Sequence, residues 1–134
     1  MRFFLTLIFV LFFSLGFSQI LNPVKWELAI EQDTKTEYTI VFTANIDTNW
    51  AIYAQEVDEG GPLPTLFSFE TNPAFELLGK TIESNINKVT KHDPIFDMVV
   101  SKFFNKAEFR QRVRVLDTKF LLSGNIDYMT CDDT

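Results

Sequence analysis

The chain has 134 residues, 46% of them hydrophobic, and 18 Asp and Glu against 12 Lys and Arg give it a net charge of −6. That length supports one domain with a real core, and the acidic balance argues against nucleic-acid binding, which calls for a basic footprint. One histidine and one cysteine, far apart in sequence, argue against a zinc site built from clustered Cys, His and carboxylate ligands.

The first residues, MRFFLTLIFVLFFSLGFSQ, have the pattern of a secretory signal peptide. Arg2 is its positive start, Phe3 to Leu15 its apolar stretch, and Gly16 and Ser18 the small residues before a cleavage site at Gln19. The apolar stretch falls short of the roughly 20 residues of a spanning helix; a retained N-terminal anchor is the alternative. No cysteine stands near the cleavage site to carry a lipid. The expectation is an exported protein with residues 1–18 removed, residues 19–134 as one domain, and a net charge of −7 once Arg2 is gone.

From Pro23 onward the dominant period is two. In VKWELAIE, Val24, Trp26, Leu28 and Ile30 fall on one face, opposite Lys25, Glu27 and Glu31. In EYTIVFTANI, Tyr38, Ile40, Phe42, Ala44 and Ile46 alternate with Thr39, Thr43 and Asn45. Successive strand side chains point to opposite faces, so both stretches read as half-buried β-strands. Trp50, Ile52 and Ala54 continue the alternation after a turn signal at Asp47 to Asn49. Gly60, Gly61, Pro62 and Pro64 then break regular structure.

Phe67 and Phe69 mark the next strand, and FELLGK follows a TNP turn. Asn85 to Thr90 reads as a strand with an exposed face. KHDPIF reads as a loop, because Pro94 biases Asp93 away from helix and removes a backbone donor. VVSKFF, AEFRQRVRVL and GNIDYMTC complete the set. No stretch has a helical period with a cap and a stop signal. Short strands separated by turn signals predict an all-β sandwich or barrel. Most of the nine phenylalanines beyond residue 18 fall at inward strand positions.

Few residues invite chemistry. There is no Gly-rich phosphate loop leading into a helix. A Ser-His-Asp triad would have to use His92, and no nucleophile-elbow pattern is present; His92 reads as a surface loop residue. Arg110, Arg112 and Arg114 share one strand face. They read as a solvent face paired with acids such as Glu27 or Glu31, against the alternative of an anion or partner site. GGPLPT is a rigid connection that either crosses between sheets or shapes one end of the fold. Phe96, after Pro94 and flanked by Asp93 and Asp97, either folds into the core or caps something nearby.

Cys131 ends a strand and meets Asp132 and Asp133. Acidic neighbours disfavour a thiolate, so no hyper-reactive nucleophile is announced. An odd cysteine in an exported chain still calls for an explanation: a buried inert thiol, a redox-active one, or one whose partner lies elsewhere.

The ordered set PVKWELAIEQ, EYTIVFTANIDTNWAIYAQ, GGPLPTLFSFE, NPAFELLGK, KHDPIFDMVV and IDYMTCDD resembles the N-terminal periplasmic domain of the thiol:disulfide interchange protein DsbD, in its Bacteroidetes-type form. The resemblance runs through essentially all of residues 19–134. It implies an immunoglobulin-like β-sandwich that takes electrons from a thioredoxin-like domain and passes them to periplasmic thiol proteins, without a cofactor. It also implies tethering to a membrane domain. Cys131 matches the first cysteine of the family's redox pair. Asp93 and Phe96 match the acidic and aromatic positions of its cap loop, and Tyr53 an aromatic lining the site.

The family's second cysteine, to which its mixed disulfides are usually assigned, follows a handful of residues later, and Thr134 precedes that position. The expectation is therefore a piece of a longer protein, incomplete at its C-terminus, with a single-thiol relative as the alternative. Whether the chain by itself is an enzyme stays open. An immunoglobulin-like binding module with an incidental thiol is the competing function, and a small-ligand barrel a weaker third.

Overall fold

The alternating stretches become ten antiparallel strands in the computed structural model, which describes residues 21–117, 119 and 121–132. The expected signal peptide lies outside the described residues. The strands are β1 (Val24–Gln32), β2 (Glu37–Ile46), β3 (Trp50–Tyr53), β4 (Leu66–Phe69), β5 (Phe75–Glu83), β6 (Lys88–Asp93), β7 (Met98–Phe104), β8 (Lys106–Val115), β9 (Gly124–Asp127) and β10 (Thr130–Asp132). No helix occurs among the described residues. The described residues are all-β, as the period-two pattern predicts.

Two four-stranded sheets, ordered β1-β2-β8-β5 and β10-β3-β7-β6, are accompanied by a β4-β9 ribbon. The architecture is consistent with a β-sandwich. Val24, Ile40, Phe42, Ala44, Phe109 and Val113 from the first sheet join Ile52 and Phe103 from the second in one buried cluster. Phe67, Phe69 and Ile126 from the ribbon pack against it. The rings interlock: Phe109 lies 5.0 Å from Phe67, 5.7 Å from Phe103 and 5.9 Å from Trp26, centroid to centroid. Offset and edge-on geometries of this kind suit the aromatic quadrupole.

The inward face expected for β1 holds only in its first half. Val24 is buried and Trp26 half-buried, but Leu28 and Ile30 are 62% and 73% exposed. β1 is an edge strand. Trp26 is held by Phe67 and Tyr128, whereas Leu28 only borders a cleft beside the ribbon.

The strand at FELLGK runs on to Glu83 through an irregularity between Leu78 and Ile82. Gly79 takes a left-handed φ of 77° there, which glycine adopts without a Cβ penalty. Gln111 plugs the gap: its Nε2 donates to the carbonyls of Gly79 and Arg112, and its Oε1 accepts from the Thr81 hydroxyl.

Two expectations are corrected, one for a loop and one for a strand. Lys91, His92 and Asp93 are the last rungs of β6, and only residues 94–97 turn. The extended conformation that Pro94 imposes on Asp93 is what a strand end requires, and the missing proline N–H falls beyond the last rung, Asp93 opposite Met98. His92 is consequently an exposed strand residue whose Nε2 lies 3.1 Å from Asp97. GNIDYMTC is two strands in two sheets, β9 with β4 and β10 with β3. Between them Tyr128 packs on Trp26.

The arginine stripe is a paired solvent face. Arg110 meets Glu31 and Glu108, Arg112 meets Glu37, and Arg114 meets Glu37 and Glu76, all between 2.8 and 3.1 Å. Glu27 instead accepts a hydrogen bond from Asn45.

Candidate functional site

Strand parity decides which residues can meet. In the β10-β3-β7-β6 sheet, Ile52 stands opposite both Phe103 and Thr130, and Ile52 and Phe103 point into the core. The alternate positions point the other way. Cys131 is paired with Ala51, Ala51 with Phe104, Tyr53 with Lys102, and Lys102 with Val89. Lys91 and Asp93 share the parity of Val89 on β6. These side chains occupy the face of the sheet turned away from the core.

Part of that outer face is nevertheless closed. Tyr53, Asp93 and Lys102 are each 2% exposed or less. Two connections cover them. The 54–65 segment is tied to β3, with the Thr65 hydroxyl donating to the Tyr53 carbonyl at 2.6 Å and the Thr65 N–H to the Ala54 carbonyl at 3.2 Å. Its Gly61 lies so close to Met98 that a Cβ there would come within 2.8 Å of the sulfur. The 94–97 turn supplies Phe96, whose ring meets Tyr53 edge-on at 6.0 Å. The GGPLPT connection therefore shapes the covering of this face.

Beneath the two loops lies a polar cluster. Asp93 Oδ2 accepts from Lys102 Nζ at 2.7 Å and from the Tyr53 hydroxyl at 3.4 Å, while Oδ1 accepts the Ile95 N–H at 2.9 Å. The Lys102 hydrogen bond holds the Asp93 carboxyl below the usual carboxylate range, against the opposing effect of burial, with the Ile95 N–H adding to the depression. Burial pushes the Tyr53 phenol well above its ordinary value, and its interaction with the Cys131 thiol acts in the same direction. Lys102 Nζ also sits 5.1 Å from the Tyr53 ring centroid, a cation–π contact. The same ammonium donates to Cys131 Sγ at 3.7 Å.

Cys131 itself is half-buried on β10, an edge strand of its sheet. It opens on a cleft of about 280 Å³ whose walls include His92, Pro94, Ile95 and Asp132. Asp132 is exposed and Asp133 lies outside the described residues.

The structure thus brings three of the residues singled out from sequence, Cys131, Tyr53 and Asp93, into one hydrogen-bonded group. Phe96 stands against Tyr53, and its turn neighbours Pro94 and Ile95 share the cleft with Cys131.

Lys102 is the residue that sequence reading passed over. The available signal was its place in VVSKFF, where it shares a face with Val100 and Phe104. A lysine on such a face needs a buried counter-charge. The acids next to Cys131 in sequence suggested a negative surrounding, but the charged group that reaches its sulfur through space is an ammonium.

Among the described residues no three His, Cys, Asp or Glu side chains are grouped to hold a metal ion, and no helix is long and apolar enough to cross a membrane. Comparison of the chain with protein-family models, curated proteins and solved structures finds no match.

Proposed function

We propose that this chain is an exported thiol–disulfide exchange domain of the DsbD N-terminal type, an immunoglobulin-like sandwich made behind a cleaved signal peptide. In that reading it accepts reducing equivalents from a thioredoxin-like donor domain and passes them to periplasmic thiol proteins, tethered to a membrane domain in the full-length protein. The observation that supports it is that Cys131 and Asp93 line one cleft beside the 94–97 turn, with buried Tyr53 hydrogen-bonded to Asp93. Residues from β6, β7 and β10 meet there, and the cysteine is the one group among them able to form and break a disulfide.

The step is a displacement at sulfur. With Cys131 as the attacking thiol, in place of the second cysteine to which the resemblance assigns mixed disulfides, its sulfur as an anion attacks one sulfur of a disulfide in line with the S–S bond. A new disulfide forms as the old one breaks, and the departing sulfur leaves as a thiolate that takes a proton from water. Cys131 is oxidised to a mixed disulfide and the departing sulfur is reduced. Completing the reduction takes a second thiol, which the resemblance implies a handful of residues after Cys131. Phe96 and the turn that carries it would restrict the attack to partners that dock.

The test uses a thioredoxin-like protein reduced to its single attacking cysteine and carrying thionitrobenzoate on it. Reduced chain should displace thionitrobenzoate and form a one-to-one covalent adduct at least about tenfold faster than it reacts with the small symmetrical thionitrobenzoate disulfide. Equal or slower reaction with the protein partner would leave an immunoglobulin-like binding module with an incidental thiol as the better account.

A further inference from the structure

We infer that Lys102 is the cation that holds the Cys131 sulfur anion during disulfide exchange, with Asp93 as the residue that positions it. This deepens the exchange reading and rests on it. A lysine and an aspartate whose side chains are 3% and 1% exposed are a poor choice for stability alone. Two charges taken out of water rarely recover their desolvation cost through their mutual attraction, and well-packed apolar residues in their place are often neutral or better. The arrangement has a direction as well. Asp93 is fully occupied, by Lys102 and Tyr53 on one oxygen and the Ile95 N–H on the other. The ammonium has three donors: one points to Asp93, and a second reaches Cys131 Sγ.

Disulfide exchange puts negative charge on sulfur twice, once on the attacking group and once on the leaving group. Cys131 plays the first part when it forms a mixed disulfide and the second when it is released from one. A fixed ammonium against Sγ lowers the energy of the anion in both. Asp93 locks the ammonium by a short ion pair and is itself locked by the turn that begins at Pro94. Tyr53, touching Asp93 and Cys131 and lying beneath the ammonium, completes the cradle. The 94–97 turn therefore also fixes the carboxylate that aims the lysine.

The test separates charge from access by using two mixed disulfides of Cys131 with one attacking thiol, glutathione. In the glutathione mixed disulfide, attack on the glutathione sulfur expels the Cys131 sulfur. In the thionitrobenzoate mixed disulfide, attack on the Cys131 sulfur expels thionitrobenzoate and reports access alone. In Lys102→Met the first rate should fall about tenfold and the second change less than about twofold.

Lys102→Met leaves Asp93 buried without its counter-charge, so the paired variant Asp93→Asn with Lys102→Met is measured alongside it, and it should show the same selective loss. A parallel change in both rates, or unchanged release of Cys131 in a folded paired variant, overturns the assignment. Neither outcome depends on the thioredoxin-like partner. The partner's failure to form an adduct, with selective loss still seen here, would remove the electron-transfer reading and leave the role of Lys102 standing.

Discussion

Lys102 and Cys131 lie 29 residues apart in sequence, on strands separated in the sheet by β3, and the lysine ammonium donates to the cysteine sulfur at 3.7 Å. Parity explains the meeting. Both side chains leave the sheet on the face that Tyr53 also uses, and two loops close over it.

Cys131→Ser should abolish mixed-disulfide formation while changing stability by less than about 1 kcal/mol, because the residue is only half-buried and the replacement is nearly isosteric. Adduct formation on a non-reducing gel reads the first effect and urea unfolding the second. Adduct formation by the serine variant would mean that the linkage is not a disulfide at Cys131.

Asp93 gives the protein a specific acid sensitivity. Its folded-state value is depressed below the ordinary 3.8. The stability it contributes is therefore fully present above that value and is lost as pH falls through the lower folded-state one. Glu37 is depressed in the same direction by Arg114, so the informative quantity is the difference between parent and Asp93→Asn. The melting temperature of the parent should fall more steeply below about pH 4 than that of the variant. Parallel curves would show that folding does not lower the Asp93 pKa.

Phe96→Ala removes the ring that meets Tyr53 edge-on. A stability loss of about 0.5–1.5 kcal/mol beyond the lost burial is expected from that contact. Under the exchange reading the variant also opens the turn over the site. Reaction of Cys131 with a small aromatic disulfide should then speed up, while reaction with the thioredoxin-like partner loses its advantage over it. An unchanged small-molecule rate would limit Phe96 to a packing role.

Gly124→Ala should loosen the β4-β9 ribbon. A Cβ at Gly124 would overlap the Ser68 carbonyl, which is backbone and cannot rotate away. The strain should cost about 1–3 kcal/mol. Hydrogen exchange should show the loss first at Leu66–Phe69 and Gly124–Asp127, where the two strands pair. Protection lost evenly over all three sheets would argue that the ribbon is not a separate unit.

Much of the fold was legible before any coordinates. Tyr38 to Ile46 alternate and form β2, flanked by β1 and β8, and the arginine stripe on β8 is the solvent face that its spacing suggests. The failures occurred where local sequence is silent about neighbours. Leu28 and Ile30 carry the right period but sit on an edge strand largely uncovered. Lys91 to Asp93 looked like a loop because proline follows, yet proline's constraint suits the end of a strand. GNIDYMTC is divided between two sheets, and Tyr128, between the two strands, packs on Trp26.

Cys131, Asp93, Tyr53 and Phe96 were nominated by their residue types and by family resemblance. Lys102 was missed because a single lysine in an apolar strand announces no partner.

The sequence by itself determined that the chain is all-β, which faces of its main strands are apolar, and that one thiol stands out among them, because period two is written residue by residue into each strand. Only the tertiary structure decided that the thiol meets an ammonium as well as its acidic sequence neighbours. The order β10-β3-β7-β6 and the loops laid over its outer face arise from pairings between distant segments, and the electrostatic surroundings of a buried group are set by what is near in space.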